Sequence, residues 1–320
     1  MFVILQNGVK TWEELFGTKP WRLLRFAVAS DTRWSAFNPS IACSDMGEPW
    51  MLLRSSNYFL DPDTTSAVLT TNDNMVKTRL WLGKLDKNLE SVITESLVEL
   101  GYSDAGIDIT RGPEDGRLYW ANGGWEFTAG LREPSLPLPR IGRFRIKENK
   151  IYLIKVYNSG SLYDVEKNWA GTSDSSGNFD YIYNPISIYV DGVGPVKVKE
   201  ASPQVRDVRG GTQLAPLGDE TYLSVIHEAI VKDIYMYIPR YFTYKNVPVR
   251  KYLHRFARYS VDGVLIGLSP TFTFSNARIE FAAGLIIKDK MVYVSYGHQD
   301  AAAHVAKVEL NKVLELIVDV

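Results

Sequence analysis

Five short polar stretches recur along the chain, each leading toward apolar sequence. They are Asn38-Pro39-Ser40-Ile41, Glu114-Asp115-Gly116-Arg117-Leu118, Glu166-Lys167-Asn168-Trp169, Arg209-Gly210-Gly211-Thr212-Gln213 and Glu280-Phe281-Ala282-Ala283-Gly284. Four are followed closely by an apolar run, a Gly- or Asp-containing turn and a second run. Examples are residues 214–217, Gly218-Asp219-Glu220 and 221–227, and residues 285–287, Lys288-Asp289-Lys290 and 291–296. The mean spacing of about 60 residues suits blades of four strands with insertions. The expectation is an all-β, five-bladed β-propeller with a central funnel. A β-sandwich or jelly roll of this length is the alternative, but it gives no reason to repeat a polar turn before each hairpin.

Turn signals are spread evenly, at Asn122-Gly123-Gly124, Asp191-Gly192, Gly210-Gly211 and Asp262-Gly263. Between them lie short runs alternating with period two, among them 151–157 and 181–190, which read as strands. Two segments read as helix: 90–101, ending on Gly101, and 311–318 at the C-terminal end. No linker, low-complexity tract or charge block divides the chain. One domain over 1–320 is expected, with residues 1–35 completing the last blade.

Composition limits the function classes. The 320 residues carry a formal net charge of -1, which lacks the basic excess of a nucleic-acid-binding surface. The single cysteine, Cys43, excludes an internal disulfide framework and points to a reducing compartment. No apolar stretch approaches the roughly 18 residues of a membrane helix, and the N-terminal residues have no signal-peptide pattern. A soluble, cytoplasmic protein is expected. Aromatic residues make up 12%, which suits strands and also the stacking faces of sugar sites. His227, His254, His298 and His304 lack zinc-site spacing, and no Walker or Rossmann phosphate loop occurs, so neither a metal nor a nucleotide fold is expected.

In a propeller, equivalent turns converge at one end of the axis. That would gather Asn38, Asp115, Arg117, Lys167, Asn168, Arg209, Gln213 and Glu280 around one pocket. Carboxylates, cations and amides together suit a polyhydroxylated ligand, or an anion such as phosphate. Each residue also has a plain structural reading. Asp115 could pair with Arg117, Glu114 could cap backbone amides, and Lys167 and Asn168 could be turn residues. Glu280 could pair with Arg255 or Arg278, and Asp300 could cap its own turn.

The order Asn-Pro-Ser-Ile, Gly-x-Glu-Asp-x-Arg-Leu, Glu-Lys-Asn-Trp, Gly-Gly-Thr-Gln and Glu-Phe-x-x-Gly-Leu, closing on Tyr296-Gly297-His298-Gln299-Asp300, resembles the mannoside phosphorylases and hydrolases of glycoside hydrolase family 130. It is similar to a divergent branch of that superfamily over roughly residues 35 to 310. The resemblance implies a five-bladed propeller with one central sugar site. It gives Asp115 the role of general acid, in a motif where Gly116 replaces the family's Pro and loosens the turn. Asn38 corresponds to a first-blade Asn, and Asp300 to an Asp that contacts sugar hydroxyls. Arg54, Lys167, Asn168, Arg209 and His254 are loose counterparts of the side chains that hold inorganic phosphate, a co-substrate in the phosphorylases. Cleavage needs an acid for the leaving oxygen and a nucleophile on the opposite face. Hydrolysis takes a second carboxylate as base, for which Glu114, Glu166, Glu228 and Glu280 are available, whereas phosphorolysis takes only cations to position phosphate. The expected protein is an enzyme that phosphorolyses or hydrolyses a mannoside-like glycan. A glycosyltransferase using a sugar nucleotide and a non-catalytic glycan-binding propeller are the alternatives.

Overall fold

The computed structural model describes residues 9–23, 33–61, 66–72, 74–103, 106–157, 168–171, 181–190, 193–198, 208–238 and 243–320. It is an all-β protein. Among the described residues the helices are Trp12–Phe16 and Leu310–Leu314. The second overlaps only the first part of the C-terminal stretch expected to be helical, 311–318, whose end, Val318, is in a strand. The other expected helix, 90–101, is a strand, Val92–Ser103. Its apolar residues fit either period, and the strand leaves Ile93, Leu97 and Leu100 well exposed while burying Val98.

The strands fall into antiparallel groups, named here sheets I to V in chain order. Sheet I runs Ser35–Cys43, Pro49–Ser56, Thr78–Leu85 and Val92–Ser103, each strand pairing with the next. Sheet II repeats that meander with Glu114–Ala121, Gly124–Leu131, Arg140–Lys147 and Lys150–Tyr157. The last strands of I and II pair in parallel through Lys150↔Glu99 and Ile151↔Leu100, which joins the two sheets at their outer edge. Sheet III is shorter, with Ala170–Gly171, Tyr181–Asn184, Ser187–Val190 and Gly194–Lys197. The expected single strand over 181–190 is therefore a hairpin that turns at Pro185-Ile186.

Sheet IV is built on Thr221–Ile238 and Thr243–Ser260, paired along their whole length from Thr221↔Ser260 to Ile238↔Thr243. Val208–Arg209 and Ala215–Pro216 flank one side, and Leu265–Leu268 and Phe272–Thr273 the other. Sheet V is Glu280–Lys288, Met291–His298 and Ala302–Glu309. Its fourth strand comes from the other end of the chain: Trp21–Arg22 pairs with Ala302–Glu309 through Trp21↔Val305. Lys10–Thr11 likewise pairs with Phe272–Thr273 in sheet IV.

The apolar core is divided in the same way. One cluster joins sheets I and II through Leu52, Leu82, Leu118 and Phe127, and a second joins II and III through Tyr157, Trp169 and Tyr181. A third joins III and IV through Ile182, Ile188, Ile226 and Tyr259, and a fourth joins IV and V through Val225, Phe256, Val294 and Tyr296. The fifth joins V back to I, with Ile286 and Tyr293 against Ile41, Met51 and Leu53. Alternate residues of each strand thus bury against the preceding or following sheet, as period-two patterning requires when both faces are covered.

The recurring polar stretches take a form that the sequence does not announce. Asn38 to Ile41, Glu114 to Leu118 and Glu280 to Gly284 are not turns ahead of strands but the beginnings of strands, interrupted by bulges. Register shifts fall between Phe37 and Ser40, between Thr128 and Gly130 opposite Asp115, and between Ala282 and Gly284. Asn38 and Asp115 sit in the left-handed region at φ of 50° and 53°. A bulge re-aims one side chain out of the strand's alternation, and Asn and Asp tolerate the left-handed geometry better than other residues. The Gly116 position is set by packing: a Cβ there would lie 2.8 Å from Leu52 Cδ2 and 3.3 Å from Phe127.

Candidate functional site

The leading strands of sheets I, II and V meet at one end of the molecule with the polar segment before sheet IV. Gln213 spans part of the junction, its amide donating to the carbonyls of Ile41 (2.6 Å) and Leu285 (3.0 Å). Arg117 spans another part and is buried. Its Nε donates to Gly211 O at 2.7 Å, Nη1 to Asp115 O at 2.6 Å and Nη2 to Asn168 Oδ1 at 2.9 Å. Its guanidinium also lies over the Phe281 ring, 5.3 Å from the centroid and within the roughly 6 Å reach of a cation–π contact. Gly210 and Gly211 allow this approach, since a Cβ on either would come within 2.1 Å of Asn168 O or 2.2 Å of Val225 O.

Above this junction lies an open cavity of about 560 Å³. Sheet I contributes Asn38 and Arg54, and Tyr58 comes from a separate short strand, Tyr58–Leu60, paired with Ala67–Leu69; sheet II contributes Glu114 and Asp115, with Arg132 just after its second strand. Asn168 precedes sheet III. Sheet IV contributes Arg209, His227, Arg250 and Tyr252, and sheet V contributes Phe281 and the turn residue Asp300. Asn38, Asp115, Asn168 and Asp300 all have positive φ, between 48° and 64°. Unfavourable backbone geometry held at one place by surrounding structure is characteristic of functional sites.

The cavity carboxylates have different surroundings. Asp115 Oδ1 accepts from Arg54 Nη1 and from Asn38 Nδ2, both at 2.7 Å. Burial opposes its charge, but Arg54, Asn38 and Arg117 outweigh that and hold the carboxyl below the usual range. Glu114 bridges Arg54 at 3.4 Å and Arg132 at 3.2 Å. Asp300 Oδ2 accepts from the Tyr58 hydroxyl at 2.8 Å. Burial pushes its carboxyl up to about 6, against the pull of Arg54 and Tyr58 and with added repulsion from Asp115 and Glu114. Arg117 is lowered to about 10 by burial, with Asp115 opposing, and remains a cation at neutral pH.

Of the residues singled out in the sequence, Asn38, Arg54, Glu114, Asp115, Arg117, Asn168, Arg209 and Asp300 line this cavity. Lys167 lies outside the described residues. Three others are placed elsewhere. Gln213 is spent on the two carbonyls above. Glu280 is fully buried and accepts from the amides of Phe274 (2.8 Å) and Ser275 (2.7 Å) and from the Ser275 hydroxyl (2.6 Å), so it braces a loop rather than pairing with Arg255 or Arg278. His254 is fully buried against Phe272 and Phe274, and burial lowers it to about 3, which keeps it neutral. Asp115 pairs with Arg54 rather than Arg117, and Glu114 binds arginines rather than capping amides.

Sequence reasoning passed over Arg111, Arg132, Arg250, Tyr252 and Phe281 as cavity residues, and His227 entered it only as a histidine without zinc-site spacing. A signal existed for part of this set. Arg250, Tyr252 and His254 share one face of a strand, and Ala229↔Tyr252 and His227↔His254 are cross-strand partners, so one buried member of the row directs the others along the same wall. Among the described residues, six arginines and three carboxylic acids line the cavity, leaving an excess of positive charge. Such a site can bind a polar ligand against the Tyr252 and Phe281 rings and hold an anion beside it. No group of residues that could hold a metal ion occurs among the described residues, and no described helix is long and apolar enough to cross a membrane.

No protein-family pattern and no curated protein sequence matches the chain. Solved structures do. A β-1,2-mannobiose phosphorylase from Listeria innocua, in complex with β-1,2-mannobiose, superposes with a TM-score of 0.57 at 13% identity, over 92% of this chain and 94% of that one. MPT-4, a mannose phosphorylase from Leishmania mexicana in complex with a phosphate ion, gives 0.57 at 10% identity, covering 95% and 91%. MPT-1, a GDP-Man-dependent mannosyltransferase from Leishmania mexicana, gives 0.56 at 11% identity, covering 91% and 89%. At these identities the likeness is one of fold.

Proposed function

We propose that the chain is a single-domain, five-bladed β-propeller of the glycoside hydrolase family 130 type, and that it cleaves the glycosidic bond of a mannoside-like glycan with inorganic phosphate as the attacking group. Support for the blade count comes from the five core clusters, each between neighbouring sheets, with the fifth joining V back to I. Trp21–Arg22 completes the last sheet from the other end of the chain. The folds it shares include proteins described as acting on mannosides.

One observation carries the reaction type: Asp115 lies in a cavity where arginines outnumber acids by six to three. Hydrolysis needs a free carboxylate to activate water. Glu114 and Asp115 are both tied to Arg54, whereas Arg209 and Arg250 present exposed guanidinium groups at the sheet IV wall. An anionic nucleophile needs those cations and no base. Arg209 faces the cavity beside His227 and Tyr252, a set of donors suited to phosphate oxygens.

The test is release of sugar 1-phosphate from a panel of mannosides, with and without phosphate. Phosphate-dependent release is expected, and Asp115→Asn should lower it by about 100-fold or more. Release in water alone would replace phosphorolysis with hydrolysis. The same arginine excess also suits a diphosphate, so a sugar nucleotide is the second donor to test. Stabilisation by GDP-mannose, together with transfer to a sugar acceptor, would establish that reading instead. Glycan binding without turnover of any donor would leave a binding propeller.

A further inference from the structure

We infer that the mannosyl unit this cavity accepts is joined to an alkyl chain, and that the chain lies on an apolar wall formed by the insertion between the second and third strands of sheet I. This rests on the reading of the cavity as a glycosidic-bond site and deepens it by naming what is bonded to the sugar.

The wall is built from the segment that follows Ser56. Tyr58–Leu60 and Ala67–Leu69 form a hairpin, with Tyr58 opposite Leu69 and Leu60 opposite Ala67. Antiparallel partners share a face, and the face carrying Tyr58, Leu60 and Ala67 lines the cavity. The chain returns to sheet I through Met75 and Val76, which line it as well. Asn57, fully buried, fixes that return. Its Nδ2 donates to Thr71 Oγ1 at 2.8 Å and to Met75 O at 3.1 Å, and its Oδ1 accepts from Lys77 N at 2.6 Å. Its backbone carbonyl accepts from Thr70 N at 2.9 Å. Asn57 thus ties the start of the insertion to its end, and the wall is preformed, which lowers the ordering cost of binding.

The wall differs in chemistry from the rest of the cavity. Leu60, Ala67, Met75 and Val76 offer no strong hydrogen-bonding side chain, whereas the six arginines and three carboxylic acids stand on other elements. Of the polar residues that the insertion adds, the Tyr58 hydroxyl is held by Asp300 and Asn74 is exposed. A mannosyl unit is polyhydroxylated and phosphate is charged, so neither matches this surface. Sugars meet apolar protein through aromatic ring faces, and those lie elsewhere: Tyr252 and Phe281 belong to sheets IV and V, and the Tyr58 ring packs edge-on against Phe37. The apolar part of a mannoside can only be the group on its anomeric oxygen. A wall of aliphatic side chains and one thioether, with no ring to stack on, suits an alkyl chain rather than an aryl group, and the unbranched Met75 adapts to its length.

Isothermal titration calorimetry of the intact protein with methyl, butyl and hexyl mannosides of both anomeric configurations, without phosphate, reads the wall without requiring turnover. Each methylene taken out of water strengthens binding by up to about fourfold, so butyl mannoside should bind about 10- to 50-fold more tightly than methyl mannoside. Leu60→Asn and Met75→Asn should each cut that ratio to about 5-fold or less, and either serves if the other does not fold. Phe59→Asn, on the opposite face of the hairpin, should preserve it. The inference is overturned if methyl and butyl mannosides bind alike, if mannobiose binds more tightly than butyl mannoside, or if the ratio survives both Leu60→Asn and Met75→Asn. A graded alkyl series without phosphorolysis would leave the wall standing and overturn the enzymatic reading. Phosphate-dependent turnover with a flat alkyl series would do the reverse, and no binding of any mannoside would overturn both.

Discussion

Asp115 and Asp300 differ by what surrounds them, and the difference extends to stability. A carboxyl whose folded pKa is depressed contributes stability above its unfolded value of about 3.9, which is lost as pH falls through the folded value. Asp115 is of this kind. Asp300 is the reverse. With a folded value of about 6, the folded state binds more protons than the unfolded state between about pH 4 and 6, so stability falls as pH rises through that window. The same substitution at the two positions should therefore have opposite effects. Asp300→Asn removes the cost of a poorly compensated charge and keeps an acceptor for Tyr58. It should raise stability at pH 7.5 by about 2 kcal/mol and change little at pH 4. Asp115→Asn leaves the buried Arg54 with Glu114 at 3.4 Å and should lower stability at pH 7.5 by about 1–3 kcal/mol. Urea denaturation of both variants at the two pH values checks the signs. Destabilisation at pH 7.5 by both would mean that Asp300 is ionised and paired.

At the scale of the strand, the site depends on bulged leading strands held very close to their neighbours. Gly297, in the second strand of sheet V, is the tightest of these contacts: a Cβ there would lie 1.8 Å from Asn38 Oδ1 and 2.8 Å from Asn38 N. Gly297→Ala must move Asn38, which positions Asp115. The expected result is a loss of turnover comparable to Asn38→Ala, together with a fall in stability of about 1–3 kcal/mol. Wild-type turnover in Gly297→Ala would show that Asn38 has no positioning role. These close approaches also explain what the sequence could show. The polar stretches around Asn38 and Asp115 mark the cavity because bulges need Asn, Asp and Gly where ordinary strands do not, and those around Asn168 and Arg209 mark it through a left-handed Asn and two closely approached glycines. The same residues favour turns, so a bulged strand and a turn look alike in sequence. Segment 90–101 was ambiguous for a related reason: a strand that pairs along its edges and exposes Ile93 and Leu97 has no strict alternation. His227 and Tyr252 belong to the long central strands of sheet IV, where ordinary alternation carries no mark of the cavity, and Tyr58 and Arg132 follow strands of sheets I and II with no polar stretch to mark them. Glu280 and Gln213 carried the mark but serve the backbone, and only coordinates separate a buried acceptor of amides from a ligand contact.

For the whole molecule, the decisive contact is the one that brings sheets IV and V together, because the cavity's arginine wall lies on IV and Asp300 lies on V. Their shared core includes a residue far from both in sequence. Trp12 is fully buried and packs on Phe16, Phe256, Phe272 and Phe274, and its indole donates to Thr18, whose hydroxyl donates to Lys307 O at 2.8 Å. Phe256 and Phe272 belong to sheet IV, and Lys307 to sheet V. Trp12→Ala should cost about 3–5 kcal/mol, the usual range for removing a large buried ring. The location of the damage separates a local cavity from a weakened closure. If Trp12 fastens IV to V, amide hydrogen exchange should accelerate in Phe272–Thr273 and Ala302–Glu309, while Glu114–Ala121 and Gly124–Leu131 in sheet II keep their protection. Phosphate affinity should fall as well, since Arg209 and Asp300 stand on the two sheets that separate. Uniform acceleration in all sheets would instead mean that the described sheets unfold as one unit and that Trp12 contributes only its share of buried area. Unchanged exchange in Ala302–Glu309 would place its effect within sheet IV alone.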